Sequence, residues 1–214
     1  MSRSVRVWDL PTRVVHWSLA ALVLLLWWTS RNDDIALHKL LGFALLALLA
    51  FRLWWGFFGS ETARFSDFLK GPRAIGAYLR TGTAATPGHN PLGALSVVVL
   101  LALLLTESGL GLFAIDEDGL EAGPLSPYVS FETAQLAAHY HALVFDILVG
   151  FIALHIIAVL VYLALGQNLI AAMIIGRKNV ASPIAEPQRA PLWSLLIGLA
   201  LASTLFVLLW CFDR

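Results

Sequence analysis

The sequence predicts an all-α membrane protein with five transmembrane helices, and three observations carry the prediction. Hydrophobic residues make up 59% of the 214, with a mean hydropathy of +0.79. Charged residues reach only 13%, whereas a soluble domain carries about 25%. Five apolar runs are long enough, or nearly so, to cross a hydrocarbon core that takes about 20 helical residues.

The first run, Pro11 to Ser30, ends beside Trp27 and Trp28 and has no small-residue cleavage site after it, so it reads as a retained helix and not a signal peptide. The second spans Ile35 to Phe58, the third Pro91 to Phe113, the fourth Thr133 to Leu165 and the fifth Pro191 to Phe212. Pro11, Pro91 and Pro191 each stand in a first turn, where the missing N–H has no helical partner to lose. The chain shows no internal repeat and no low-complexity tract.

Basic residues set the expected orientation. Arg3, Arg6 and Arg13 precede or open the first helix, Arg64, Lys70, Arg73 and Arg80 fill the second connection, and Arg177, Lys178 and Arg189 fill the fourth. With five spans these all fall on one side, and only Arg31, Lys39 and Arg214 face the other. The positive-inside rule then places the N-terminus in the cytoplasm and the C-terminus outside. The connection from Ile115 to Glu132 lies outside and is acidic. It reads either as a solvated connector or as a docking surface for a basic partner.

Composition also excludes functions. A net charge of zero gives nucleic acid no electrostatic footprint. A single cysteine, Cys211, rules out an internal disulfide, a CxxCH haem attachment and a cysteine-ligated cluster built from this chain alone. No glycine-rich nucleotide motif is present, which argues against nicotinamide or flavin chemistry by the chain itself.

Histidines in the apolar runs carry the chemistry. His141 and His155 are fourteen residues apart, so they share one helix face within about 40° and are separated by about 21 Å along the axis. His139, two residues from His141, is turned nearly to the opposite face and reads as an interface residue. By depth, His16 on the first helix matches His155, and His38 on the second matches His141. The inner match is the looser, because the fourth run continues some ten residues past His155.

Facing imidazoles at two levels suit axial ligation of two haem irons. Such iron has all six positions filled and is suited to electron transfer. The alternative is a set of hydrogen-bonding groups between helices. His89, in "TPGHNP", precedes a helix and reads as a loop histidine.

Other polar residues and glycines add to the site. Arg52 lies fourteen residues after His38, on the same face and about 21 Å deeper; it reads either as a propionate partner or as a side chain snorkelling to the interface beside Trp54 and Trp55. Glu107 and Asp146 fall in the outer half and read either as proton acceptors for a quinol or as structural hydrogen-bonding groups. Gly42, one turn after His38, is the glycine best placed for close approach of a cofactor. Gly109, Gly111 and Gly150 read more readily as packing positions.

The stretches "VWDLPTRVVHWSLA" and "HKLLGFALLALLAFRLWWGFFGSETARFSDF", with the fourteen-residue pair on the fourth helix, resemble the bacterial cytochrome b561 and nickel-iron hydrogenase b-type cytochrome family from about Val7 to Leu165. The resemblance implies a four-helix transmembrane core, residues 1–180, binding two b-type haems through His16, His38, His141 and His155. It implies electron transfer between a membrane quinone, as donor or acceptor, and a periplasmic redox protein such as a cytochrome c, a hydrogenase or another dehydrogenase. Residues 181–214, the linker and fifth helix, depart from the four-helix core. They offer a surface for a partner or for a second copy of the chain, and they weaken the assignment to a hydrogenase subunit in particular.

Two rival functions stand beside this expectation. One is a stand-alone quinone oxidoreductase with a small donor such as superoxide. The other, from a different class, is a haem-free anchor or transporter subunit. Haem content separates the second from the rest, and activity without a protein partner separates the first.

Overall fold

A computed structural model describes residues 3–81, 88–180 and 186–214. The protein is an all-α membrane protein. Among the described residues five helices are long and apolar enough to cross a membrane: α1 (Leu10–Arg31), α2 (Ile35–Phe58), α5 (Pro91–Phe113), α6 (Phe131–Ala164) and α8 (Leu192–Phe212). Between them lie the short helices α3 (Phe65–Phe68), α4 (Pro72–Thr81) and α7 (Leu169–Ile175), and two four-residue strands, β1 (Arg3–Arg6) and β2 (Arg177–Val180).

Helix starts follow from short polar side chains that accept the first free N–H groups. The side chain of Asp9 accepts from Thr12 N at 2.8 Å, that of Asp34 from Leu37 N at 3.2 Å, and that of Asn90 from Gly93 N at 2.7 Å. Ser130 does the same for Thr133 N and Asn168 for Ala171 N. Helix α7 ends at Gly176, whose φ of +78° is left-handed. A β-carbon there would lie 2.6 Å from the carbonyl oxygen of Trp8, so glycine is required by both conformation and space.

The chain forms two compact units. The first comprises Met1–His16, Arg52–Val99 and Ala153–Gly198. In it β1 pairs antiparallel with β2, Arg6 opposite Arg177, and the Gly176 carbonyl accepts from Val7 N and Trp8 N. Trp8 and Val7 bury against Ala172. The start of α8 is held to the end of α2: Trp54 Nε1 donates to the Ser194 carbonyl at 2.8 Å, and Ser194 Oγ donates to the Phe58 carbonyl at 2.6 Å.

Helix α6 has 34 residues, about 51 Å of helix against a core of about 30 Å. Its far end is held by polar contacts: Tyr162 and Tyr78 hydroxyls are 2.6 Å apart, and Asn90 Nδ2 donates to the Tyr162 hydroxyl at 2.8 Å. The nine residues beyond His155 therefore lead into a hydrogen-bonded anchor, which accounts for the length that made the inner match loose.

The second unit comprises Trp17–Phe51, Leu100–Ile152 and Leu199–Arg214. Here Lys39 pairs with Asp213 at 3.0 Å and closes α2 on the end of α8. The connection after α5 turns back on itself through an Ile115–Ala122 bridge, with Gly123 N donating to the Ala114 carbonyl. Gly123 sits so close to the end of α5 that a β-carbon there would collide with the Gly111 and Leu112 carbonyl oxygens.

Burial along α6 falls on Ala134, Ala137 and Leu148, while Leu154, Ile156 and Ile157 are exposed. Small residues let helices approach and large apolar ones face lipid, as expected where water does not drive the packing.

Candidate functional site

Each unit brings two of the predicted histidines together, their rings at 86° in the His38 and His141 pair and at 52° in the His16 and His155 pair. In the second unit His38 of α2 and His141 of α6 have ring centroids 6.3 Å apart; in the first, those of His16 of α1 and His155 of α6 are 6.5 Å apart. A metal–imidazole nitrogen bond of about 2.0–2.1 Å, plus roughly 1.1 Å from nitrogen to ring centre, separates two axial imidazoles of one metal by about 6.3 Å. Both gaps fit a single atom between the rings.

Hydrogen bonds fix the tautomers of the His38 and His141 pair. A main-chain carbonyl only accepts, so a ring nitrogen bonded to one must carry the proton. His38 Nδ1 donates to the Leu26 carbonyl at 3.1 Å, and His141 Nδ1 donates to the Glu107 carbonyl at 2.9 Å. Each ring is thereby left with an unprotonated Nε2 for a metal, in the orientation-fixing manner typical of ligating histidines. Thr29, fully buried, adds its hydroxyl 3.1 Å from His38 Nδ1.

Glycines shape this pair. Gly111 on α5 packs directly on His141; a β-carbon there would lie 3.0 Å from Cε1 of the ring. Gly42 differs, for a β-carbon would meet nothing within 4 Å, so this position leaves open space one turn from His38. Gly109 and Gly150 also face open space.

Arg52, which with His16 and His155 lies near enough to His89 to bear on its charge, is only 7% exposed. Its guanidinium carbon is 5.2 Å from the Phe65 ring centre, and its Nη1 is buried without a hydrogen-bond partner among the described residues. This burial overturns the snorkelling alternative. A buried cation costs several kcal/mol unless it is paired. The nearby Asp9 carboxylate is already engaged, accepting from Trp55 Nε1 at 2.9 Å and from Thr12 N. The orphaned donor suits an anionic group entering beside the imidazoles.

His89 belongs to the same neighbourhood, which its place in a proline-flanked loop did not reveal. It stands in the connection just before α5 as expected, but its ring lies between Trp8 and Phe68, each 4.5 Å away by centroid. Burial first, then the positive Arg52 and the nearby His155 and His16, lower its pKa to about 3. His139 is exposed beside Tyr140.

Glu107 is 7% exposed, with Oε1 3.2 Å from His141 Nδ1 and Oε2 buried without a partner among the described residues. Asp146 is exposed on α6. Among the described residues no three His, Cys, Asp or Glu side chains converge on one point. A conventional metal site needs three or four protein ligands, whereas haem iron, held by its porphyrin, needs two.

The model of the family described as prokaryotic cytochrome b561 matches residues 7–176, a stretch that contains all four facing histidines, Arg52 and His89. Neither the curated proteins nor the solved structures gave a match.

Proposed function

From the premise that the chain belongs to the prokaryotic cytochrome b561 family, and so is a membrane b-type cytochrome of electron transfer, we propose that it holds two haems and carries electrons across the membrane. His16 and His155 would hold one haem and His38 and His141 the other, all within the proposed core of residues 1–180. The observation that carries the reading is the close approach of two histidine pairs, with ring centroids 6.5 and 6.3 Å apart, at which each pair would hold one iron between its rings.

Iron with two histidine ligands supplies reversible one-electron chemistry with no open position for oxygen. The remaining work belongs to the chain. Leu26 and Glu107 carbonyls hold the Nδ1 protons of His38 and His141, so neither ring turns over when the charge at its other nitrogen changes. Arg52 supplies a positive partner for a propionate next to the His16 and His155 pair, and Gly42 keeps space beside His38 clear for a porphyrin edge. Apolar residues of the five spans exclude water and keep the local dielectric low.

The flow runs between a membrane quinone and a redox protein at the periplasmic face, such as a cytochrome c, a hydrogenase or another dehydrogenase. The density of arginines and lysines in the N-terminal segment and the second and fourth connections supports a cytoplasmic N-terminus and a periplasmic C-terminus. The fifth helix lies outside the ligand set and is left to pack on a partner or a second copy.

The test is the haem-to-protein ratio of the purified chain with reduced-minus-oxidised spectra. Two six-coordinate b haems per chain are expected. His38→Ala and His141→Ala should each remove the same haem, and His16→Ala and His155→Ala the other. A single haem, or loss of one haem on changing residues from different pairs, would reject the assignment.

A further inference from the structure

Within the first unit, a cavity of about 540 Å³ opens between the segment before α1, the end of α2, the turn from α7 to β2 and the linker into α8. It contains none of the four facing histidines and not Arg52, so it is separate from the haem sites. Four arginines line it: Arg6, Arg13, Arg177 and Arg189. Its one acidic lining residue, Asp9, already accepts hydrogen bonds from Thr12 N and Trp55 Nε1.

Three observations show that this concentration of positive charge lacks its counterpart. None of the four arginines has a carboxylate within ion-pair distance among the described residues. Arg6 stands directly opposite Arg177 in the β1–β2 pair, an arrangement in which like charges destabilise the strands. Two buried donors on the cavity, Arg13 Nε and the hydroxyl of Ser60, a residue only 5% exposed, have no hydrogen-bond partner among the described residues. An anion with several acceptor oxygens would satisfy all three, and phosphate oxygens match guanidinium donors in charge and geometry.

The rest of the lining says what carries the phosphate. Leu10, Ile175 and Leu192 line the cavity and are exposed, and Leu10 and Leu192 begin membrane-length helices. A phosphate held at the arginines would leave an attached hydrocarbon chain against these side chains and the adjoining lipid. Basic pockets at the ends of transmembrane helices are suited to anionic headgroups. We propose that this cavity is a binding site for the phosphodiester headgroup of an anionic phospholipid, with the arginines as its ligands.

The experiment is native mass spectrometry of the purified, haem-loaded chain after delipidation, titrated with phosphatidylglycerol, phosphatidylcholine or inorganic phosphate. Phosphatidylglycerol should bind in preference to phosphatidylcholine and should survive millimolar inorganic phosphate. Arg6→Gln with Arg177→Gln and Arg189→Gln should weaken phosphatidylglycerol binding by about tenfold or more, with haem spectra unchanged. If the triple variant loses haem, Arg189→Gln alone, in the non-helical linker, is the substitute and should weaken binding in the same direction. Equal binding of the two lipids, insensitive to the substitutions, would overturn the proposal in favour of an apolar cleft. Displacement of the lipid by inorganic phosphate would overturn the lipid assignment and leave a soluble phosphate site, and binding of none of the probes would reject both.

Discussion

His141 and Glu107 meet twice: the Nδ1–H of the imidazole donates to the main-chain carbonyl of Glu107 at 2.9 Å, and a side-chain oxygen of the same residue lies 3.2 Å from that nitrogen. The carbonyl fixes which nitrogen is free, and the carboxyl group sets the charge felt behind the ring. Buried at 7% exposure, that carboxyl is poorly screened, so the gain or loss of its proton is felt at the ring more strongly than it would be at a surface.

A carboxylate behind an axial histidine stabilises the more positive, oxidised iron and lowers its potential. Glu107→Gln keeps the backbone hydrogen bond and removes the ionisable group. The midpoint potential of the haem lost with His141→Ala should fall with rising pH as the carboxyl ionises, by on the order of 50 mV, the one-electron equivalent of roughly 1 kcal/mol; in Glu107→Gln that fall should disappear, while the other potential stays put in both. Redox titration followed optically across pH checks this, and two unmoved potentials would leave the carbonyl as the only influence of Glu107 on the ring.

Gly111 makes a steric prediction at the same imidazole. A β-carbon 3.0 Å from Cε1 and 3.4 Å from Nδ1 of His141 requires the ring to yield by a few tenths of an ångström, and a branched side chain requires more. Gly111→Val should remove or distort the haem bound through His38 and His141 and leave the His16 and His155 haem intact. Haem stoichiometry together with electron paramagnetic resonance of the oxidised protein reads both effects. A variant with two normal signals would show that α5 has room to move.

The spans were legible because length and apolarity dominate in lipid, and three of their starts because Pro11, Pro91 and Pro191 suit a first turn; the capping by Asp9, Asp34, Asn90 and Ser130 emerges only in the structure. Facing histidines were legible because a fourteen-residue spacing on a straight helix is simple geometry. Other features left little trace. Strands β1 and β2, "RSVR" and "RKNV", have four residues each, no clear alternation, and a partner more than 170 residues away. The hold on His141 comes from a main-chain carbonyl, which no residue type encodes. His89 is packed against Trp8 and Phe68 from other parts of the chain, so its proline-flanked surroundings gave only its loop position.

The depressed pKa of His89 has a pH consequence with a definite sign. An unfolded histidine takes its proton near 6.5, while the buried one, next to Arg52, His155 and His16, resists down to about 3. The unfolded state therefore binds more protons between these values. The stability His89 contributes is complete above about pH 6.5 and is lost as pH falls toward 3. His89→Gln should be less stable at pH 7 through lost ring packing, yet its thermal stability should fall less steeply on acidification than that of the parent chain. Parallel slopes would show that the proton is taken up elsewhere.

The acidic turn after α5 yields the prediction about partners. Asp116, Glu117, Asp118 and Glu121 are all exposed. They are not on a loose strand: Asp116 N donates to the Glu121 carbonyl, Asp116 Oδ1 accepts from Leu120 N, and Gly119 takes a φ of +73° to close the turn. A fixed cluster of one sign steers an oppositely charged partner, with an effect that falls steeply as salt rises. With a basic soluble cytochrome c as the probe, changing the four acids to Asn and Gln should slow electron exchange by about tenfold or more at low ionic strength. The difference should vanish at high salt, and haem potentials should not change. Stopped-flow rates across a salt series separate steering from chemistry: a rate that is independent of both salt and substitution would assign the turn to connection alone and move the search for the docking surface elsewhere on the protein.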